Sequence, residues 1–167
     1  MRLAPRTLWL AVALGSAGLV MASFGLTAWL GLHPCHLCIF QRLLLGLIAG
    51  TAFASALLAP AWARGVAGVL AAALAAGGAA VAAYQSWLQA QPPDTVSCVG
   101  SEPGLIERLV EWLGQQAPAL FLATGFCEQE ELVILGLSLA NWALVCFLLF
   151  LFTAAWALNS RQVPTTD

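Results

Sequence analysis

Four long stretches of this chain carry no charged side chain: 8–32, 43–63, 65–87 and 139–158. Each has the ~20 apolar residues that a helix needs to cross a bilayer. Inside hydrocarbon every backbone N–H and C=O must find its partner within the segment, so a run of this length folds as a helix. A cleaved secretory leader has an apolar region of about 7–15 residues and a small-residue cleavage site. The first run is longer, and Thr27-Ala28-Trp29-Leu30 is a poor cleavage site, so a retained helix is expected.

The rest of the composition agrees. Only 8% of the residues are charged and 61% are hydrophobic, whereas a soluble domain carries about 25% charged residues. There is no lysine, the net charge is −2 and no basic cluster exists, which argues against nucleic acid as a partner. Arg2, Arg6, Arg64 and Arg161 fall at one end of a four-span arrangement, and Arg42 and Arg108 at the other. By the positive-inside rule both termini are cytoplasmic. The connections at about 33–40 and 89–138 then face the exterior or periplasm. Trp9, Trp62 and Trp156 fall near the inner boundaries and Trp29, Trp87 and Trp142 near the outer ones, as interfacial aromatic rings do.

The long connection holds seven of the eight acids: Asp94, Glu102, Glu107, Glu111, Glu128, Glu130 and Glu131. Within it Leu105, Ile106, Leu109, Val110 and Leu113 recur at helical spacing, with Glu107, Arg108 and Glu111 on the other side. This predicts a short helix that Gly114 ends. It lies either on the bilayer with its apolar face down or on the tops of the spans. Pro60 is expected to stop the second helix, and the Ala/Gly-rich third span suits close helix packing. The fold class is thus an all-α membrane protein: a four-transmembrane-helix bundle with a long periplasmic loop carrying a short interfacial helix. It is read as a single integral membrane domain over 1–167.

The chemistry concentrates in His33-Pro34-Cys35-His36-Leu37-Cys38-Ile39-Phe40-Gln41-Arg42. A Cys-x-x-Cys spacing permits a reversible disulfide or half of a metal site. The five cysteines are Cys35, Cys38, Cys98, Cys127 and Cys146. The first four fall on the outer side, where an oxidising compartment allows two disulfides. Cys35–Cys38 is one candidate, because its spacing is so short, and Cys98–Cys127 is the other. A crosslink around the latter loop stabilises by roughly 3–4 kcal/mol on the chain-entropy model, so a purely structural staple also fits. Cys146, inside the fourth span, reads as an inert apolar thiol.

Cys38 falls near the first turn of the second span, where free N–H groups and the helix dipole favour a thiolate. Arg42 follows four residues later on the same face. An arginine just inside a span needs a partner. It serves either as a snorkelling anchor or as the counter-charge for a thiolate and a bound polar ligand head. No nucleotide-binding glycine loop is present, so a lipid-soluble quinone is the simplest electron acceptor for a membrane dithiol.

These residues together resemble the DsbB family, the bacterial inner-membrane disulfide bond formation proteins. The likeness rests on the four spans, on Cys35-x-x-Cys38-Ile39-Phe40-Gln41-Arg42, and on a long loop carrying Cys98 and Cys127. Trp87-Leu88-Gln89 and Phe121-Leu122-Ala123-Thr124-Gly125-Phe126-Cys127 add to it. The resemblance covers nearly the whole chain. It implies a quinone-dependent protein-disulfide oxidoreductase that reoxidises a DsbA-like periplasmic thiol oxidase and passes electrons to ubiquinone or menaquinone. It implies that Cys98 forms the mixed disulfide with the partner and that Cys127 exchanges with Cys35. Cys38 resembles the thiolate that engages the quinone ring, and Arg42 the arginine beside it. One departure is notable: the family often has Arg-His near the outer end of the third span, where this chain has Tyr84-Gln85. That puts the third span's share of the quinone site in question.

Two other readings start from the same residues. One is a non-catalytic membrane scaffold with structural disulfides. The other is a metal-binding membrane protein using His33, Cys35, His36 and Cys38. The expectation carried forward has no metal, membrane lipid and the quinone pool as partners, and cysteine loops on the periplasmic side.

Overall fold

The structure, a computed structural model, describes residues 5–58, 60–91, 104–127 and 132–159. Four long helices dominate: α1 (Pro5–Leu30), α2 (His36–Leu57), α3 (Ala61–Gln89) and α6 (Leu139–Asn159). All four are long and apolar enough to cross a membrane. Between α3 and α6 lie α4 (Leu105–Gln116), the single turn α5 (Pro118–Phe121), and a two-stranded antiparallel hairpin, β1 (Val133–Ile134) with β2 (Leu137–Ser138). The hairpin is an addition to the expected all-helical chain.

The helix starts differ from those of the charge-free runs. The second charge-free run starts at Leu43 and α2 begins earlier, at His36, which puts Cys38 in its first turn as expected. Gln41 and Arg42 sit inside it because both are solvated by other helices: Gln41 bonds Gln85, and Arg42 bonds Thr27. Upstream, α1 closes on Gly31 at φ +62, and Leu32 N–H returns to the Thr27 carbonyl at 3.2 Å. This left-handed glycine cap turns the chain sharply at the mouth of the bundle. At the far end Pro60 is the N-cap of α3, and α2 has already ended at Leu57.

Each long helix packs on the next around the bundle: α1 on α2, α2 on α3, α3 on α6, with a sparser contact between α6 and α1. The α3–α6 seam is tight because α3 presents glycine and alanine. Phe147, fully buried, lies flat against Gly78, where any side chain would enter its ring. Small residues of this kind let helix backbones approach and gain dispersion contact. Trp9 packs in the same way, buried against Gly68 between the helices.

Above the bundle, α4 packs on α2 with Val110 buried, while Leu105 is 86% exposed and Trp112 also faces outward. The Gly104 N–H donates to the Glu107 carboxylate at 2.6 Å, which closes the first turn of α4. The helix does not stop at Gly114. Gly114 lies inside it, and the Phe121 carbonyl crosses 3.1 Å from where a Cβ would stand, so the position favours glycine for close approach. At the other edge Ser138 caps α6: its Oγ accepts the Asn141 N–H at 3.4 Å and donates to Gln89 Oε1 at 2.8 Å. Trp142 Nε1 donates to the Ile134 carbonyl at 3.0 Å, which holds the hairpin against α6.

Candidate active site

The first turn of α2 carries the site. Cys35 is the N-cap, with Cys38 three residues on. Their sulfurs stand 2.9 Å apart. The Cys38 N–H donates to Cys35 Sγ at 3.4 Å, so a cysteine fills the place that serine or aspartate usually takes.

A loop segment brings a third thiol to this turn. The Pro34 carbonyl accepts the Thr124 N–H at 3.0 Å and the Gly125 N–H at 3.3 Å. That clasp sets Cys127 against Cys35, and the two are 5% and 2% exposed. Leu37 and Leu88 complete the buried cluster, with Ile106 of α4 packed against it. Cys35 donates to the Cys127 sulfur, which also accepts the Leu37 backbone N–H, and these bonds hold the Cys127 thiol below its usual range despite burial. The reciprocal bond to Cys127, then the one to Cys38, then burial push the Cys35 thiol far above the usual range. The helix terminus thus reaches Cys127 and Cys35 as well as Cys38, which takes a hydrogen bond from the Cys35 backbone.

Cys38 takes a further hydrogen bond from α3. Gln85 Nε2 lies 3.1 Å from Cys38 Sγ and 3.5 Å from Cys35 Sγ, and Gln85 Oε1 accepts Gln41 Nε2 at 2.8 Å. Both glutamines are buried. Sequence reading marked Gln85 only as a departure and did not single out Gln41. The signal was there in principle, since an amide inside an apolar helix has to find a polar partner.

Arg42 turns towards α1. Its Nη2 donates to Thr27 Oγ1 and, at 3.4 Å, to the Ser23 carbonyl, and the guanidinium sits 5.0 Å over the Phe24 ring. Arg42 and Cys38 nonetheless line one cavity of about 230 Å³, which lies where α1 and α6 make their sparse contact. Its walls are mainly apolar (Leu19, Leu26, Leu45, Ala143), with His33, Gln41 and Gln89 as further polar groups. Cys146 belongs to the far wall, so it faces this space rather than lipid or packed core. Cys98 lies outside the described residues, so its pairing with Cys127 is not seen here.

A mostly apolar chamber with one cation and a thiol at its edge suits a flat ring bearing carbonyl oxygens. The apolar walls accept the ring, and Arg42 and the amides offer donors to the oxygens. Thiols at exchange distance beside such a chamber can pass a disulfide from one pair to the next.

Known proteins give the same direction. The family model described as "Disulfide bond formation protein DsbB" matches residues 5–157. The chain is 46% identical over 144 residues to a disulfide bond formation protein B of Dechloromonas aromatica, covering 86% of each. It is 40% identical to one of Verminephrobacter eiseniae, covering 87% of this chain and 81% of the relative. It is 37% identical to one of Azoarcus sp., covering 95% of each. A match across almost all of a four-helix membrane chain, with Cys35, Cys38 and Cys127 clustered at one mouth of the bundle, shows that this protein belongs to the DsbB family of disulfide bond formation proteins.

Proposed function

We propose that this disulfide-forming membrane oxidoreductase reoxidises a DsbA-like periplasmic dithiol protein and delivers the electrons to the quinone pool of the bacterial inner membrane. Its termini are cytoplasmic and its cysteine loops periplasmic. The observation that supports this best is the contact of Cys127 with Cys35 at the edge of the cavity that Cys38 and Arg42 line.

In the resting oxidised form the disulfides are Cys98–Cys127 and Cys35–Cys38. A partner thiolate attacks Cys98, and Cys127 leaves as the thiolate. The Leu37 backbone N–H, a donor that the closed Cys35–Cys38 disulfide leaves in place, stabilises its anion and lowers the barrier to that departure. Cys127 then attacks Cys35, which it already touches, and Cys38 is released. The partner's second thiol resolves the mixed disulfide, so the partner leaves oxidised and Cys98 is left reduced. Cys98 next attacks Cys127, restoring the loop disulfide and returning Cys35 as a thiol. The net result is one partner dithiol oxidised and one Cys35–Cys38 dithiol formed. The cavity lined by Cys38, Gln41, Arg42 and the apolar side chains would hold a ubiquinone or menaquinone, which would supply the oxidant, accepting two electrons and two protons, for Cys35–Cys38 to reclose. Arg42, clamped by Thr27 and Ser23, would offer it a donor, and the apolar walls keep water from the reacting sulfur.

The test is the absorbance of ubiquinone mixed with the purified, detergent-solubilised protein as a reduced thioredoxin-like dithiol protein is added. Loss of the quinone band, abolished by Cys38→Ser and slowed by Arg42→Ala, is expected. No loss with ubiquinone or menaquinone, with all four outer cysteines still oxidised, would overturn the reading in favour of structural disulfides.

A further inference from the structure

We propose that Gln85 is a positioning residue whose amide is forked across both sulfurs of the Cys-x-x-Cys turn, and that Gln41 fixes which way the fork points. This rests on the thiol-oxidase reading of the same site. The carboxamide nitrogen has two hydrogens. Gln85 Nε2 reaches Cys38 at 3.1 Å and Cys35 at 3.5 Å, so each hydrogen has a sulfur to serve. The single acceptor of that amide, Oε1, receives Gln41 Nε2 at 2.8 Å. Turning the Gln85 amide over alone would set Nε2 against Nε2 and bring oxygen to the sulfurs, where it could accept from a thiol but would repel a thiolate. With Gln85 3% exposed and Gln41 6% exposed, water is not at hand to repair these contacts.

An amide is a donor that does not titrate. It steadies a sulfur anion on either cysteine at every accessible pH, yet it neither takes nor delivers a proton. The groups that do titrate around Cys38 come from other elements. Cys35 and Arg42 flank it on its own turn and helix, and His33 and Cys146 share the cavity wall. Cys127 faces it from the loop, with Glu107 of α4 one step further out. From α3 the cavity receives only the amides Gln85 and Gln89, and from α1 the hydroxyls Ser23 and Thr27. Gln85 thus sets the sulfur's position and its hydrogen bond, and protons leave by another route.

The experiment is alkylation of the fully reduced, full-length protein in detergent by iodoacetamide, with Cys38 followed by peptide mass spectrometry across pH 5–9. Loss of a charge-assisted hydrogen bond lowers the thiolate fraction, while the remaining thiolate becomes more nucleophilic. In Gln85→Leu the Cys38 rate at pH 7 is therefore expected to fall about three- to tenfold. Gln41→Leu, which leaves the fork but frees its sense, is expected to cost about half of that on a logarithmic scale. Gln85→His restores a donor and adds a second inflection near the imidazole range, about pH 6.5, absent from the wild-type profile. Wild-type rates in both leucine variants, or a wild-type profile already showing that second inflection, would overturn the proposal. If Gln85→Leu does not fold, Gln41→Leu decides. No quinone and no partner protein enter this assay, so its failure and the failure of the oxidase reading are separately visible.

Discussion

The Leu37 backbone N–H, free at the first turn of α2, is donated to the sulfur of Cys127, a residue ninety positions away in sequence. Together with the Cys35 thiol it favours the Cys127 anion. A thiol held below its usual range stays reactive below about pH 8.5 and loses reactivity only as pH falls through its own lowered value. Cys35, pushed the other way, keeps its proton when ordinary thiols have lost theirs. In the reduced protein at pH 7, Cys127 is expected to be alkylated ahead of Cys35, read by peptide mass spectrometry. Cys35 labelling first would contradict the hydrogen-bond direction.

The same opposition shapes stability. Where Cys127 is ionised in the fold but not in the unfolded chain, stability of the reduced protein rises with pH up to the ordinary thiol range. Above it the unfolded chain also releases the Cys35 proton, which the fold retains, and stability falls. The part of stability lost in a Cys35→Ala/Cys127→Ala protein is therefore expected to peak at about pH 8.5 in thermal melts. A monotonic difference between the two proteins would refute the coupling.

Thr124 and Gly125 clasp the Pro34 carbonyl through backbone N–H groups. Thr124→Pro deletes one donor without touching any sulfur. It is expected to cost about 1 kcal/mol of loop docking, enough to slow Cys35–Cys127 crosslinking by diamide several-fold. Crosslinking at the parent rate would mean that the clasp does not position Cys127.

The α3–α6 seam has no space above Gly78, because Phe147 fills it. Gly78→Ala forces that ring aside and is expected to destabilise the bundle by about 1–3 kcal/mol in detergent unfolding. Phe147→Leu in the same protein should return part of the loss. An unchanged unfolding curve for Gly78→Ala alone would show that the seam yields freely.

What the sequence made legible follows from length and local spacing. Charge-free runs announced four helices, and the Cys-x-x-Cys turn announced the site, because both signals are local. The first turn of α2 around Cys38 was legible too, but the partners that let Gln41 and Arg42 lie inside that helix, Gln85 and Thr27, come from other elements and no local spacing announces them. Cys38 was read as the tenant of the helix terminus, and the folded loop brings Cys127 to the same place. No spacing rule carries a contact set by a clasp on Pro34. That Trp9 is buried against Gly68 is likewise a long-range contact that its position in the first span does not announce.

Arg42 owes its direction to Thr27. With Thr27→Val the guanidinium loses its side-chain acceptor on α1 and keeps only the Ser23 carbonyl and the Phe24 ring. A hydrogen bond to a charged group contributes about 1.5–3 kcal/mol, so stability is expected to fall by that order. On the proposed reaction the loss should appear as a raised KM for quinone, about threefold or more, with kcat little changed, as expected when uniform binding is weakened. A fall in kcat at constant KM would place Arg42 in the electron-transfer step instead.

Cys146 offers a view of the cavity from its far wall. In the oxidised protein, with both proposed disulfides closed, it is the one cysteine left with a free thiol. It is partly exposed and lines the same chamber as Cys38 and Arg42. A small apolar maleimide should therefore reach it. If the chamber is where a quinone rests, a short-chain quinone at ten times its Kd should slow that labelling about tenfold, because protection follows the fraction of sites left empty. Protection should weaken in Thr27→Val in step with the raised KM, since both read the same binding event. Labelling that ignores quinone while quinone is still being reduced would move the binding place away from the α1–α6 seam.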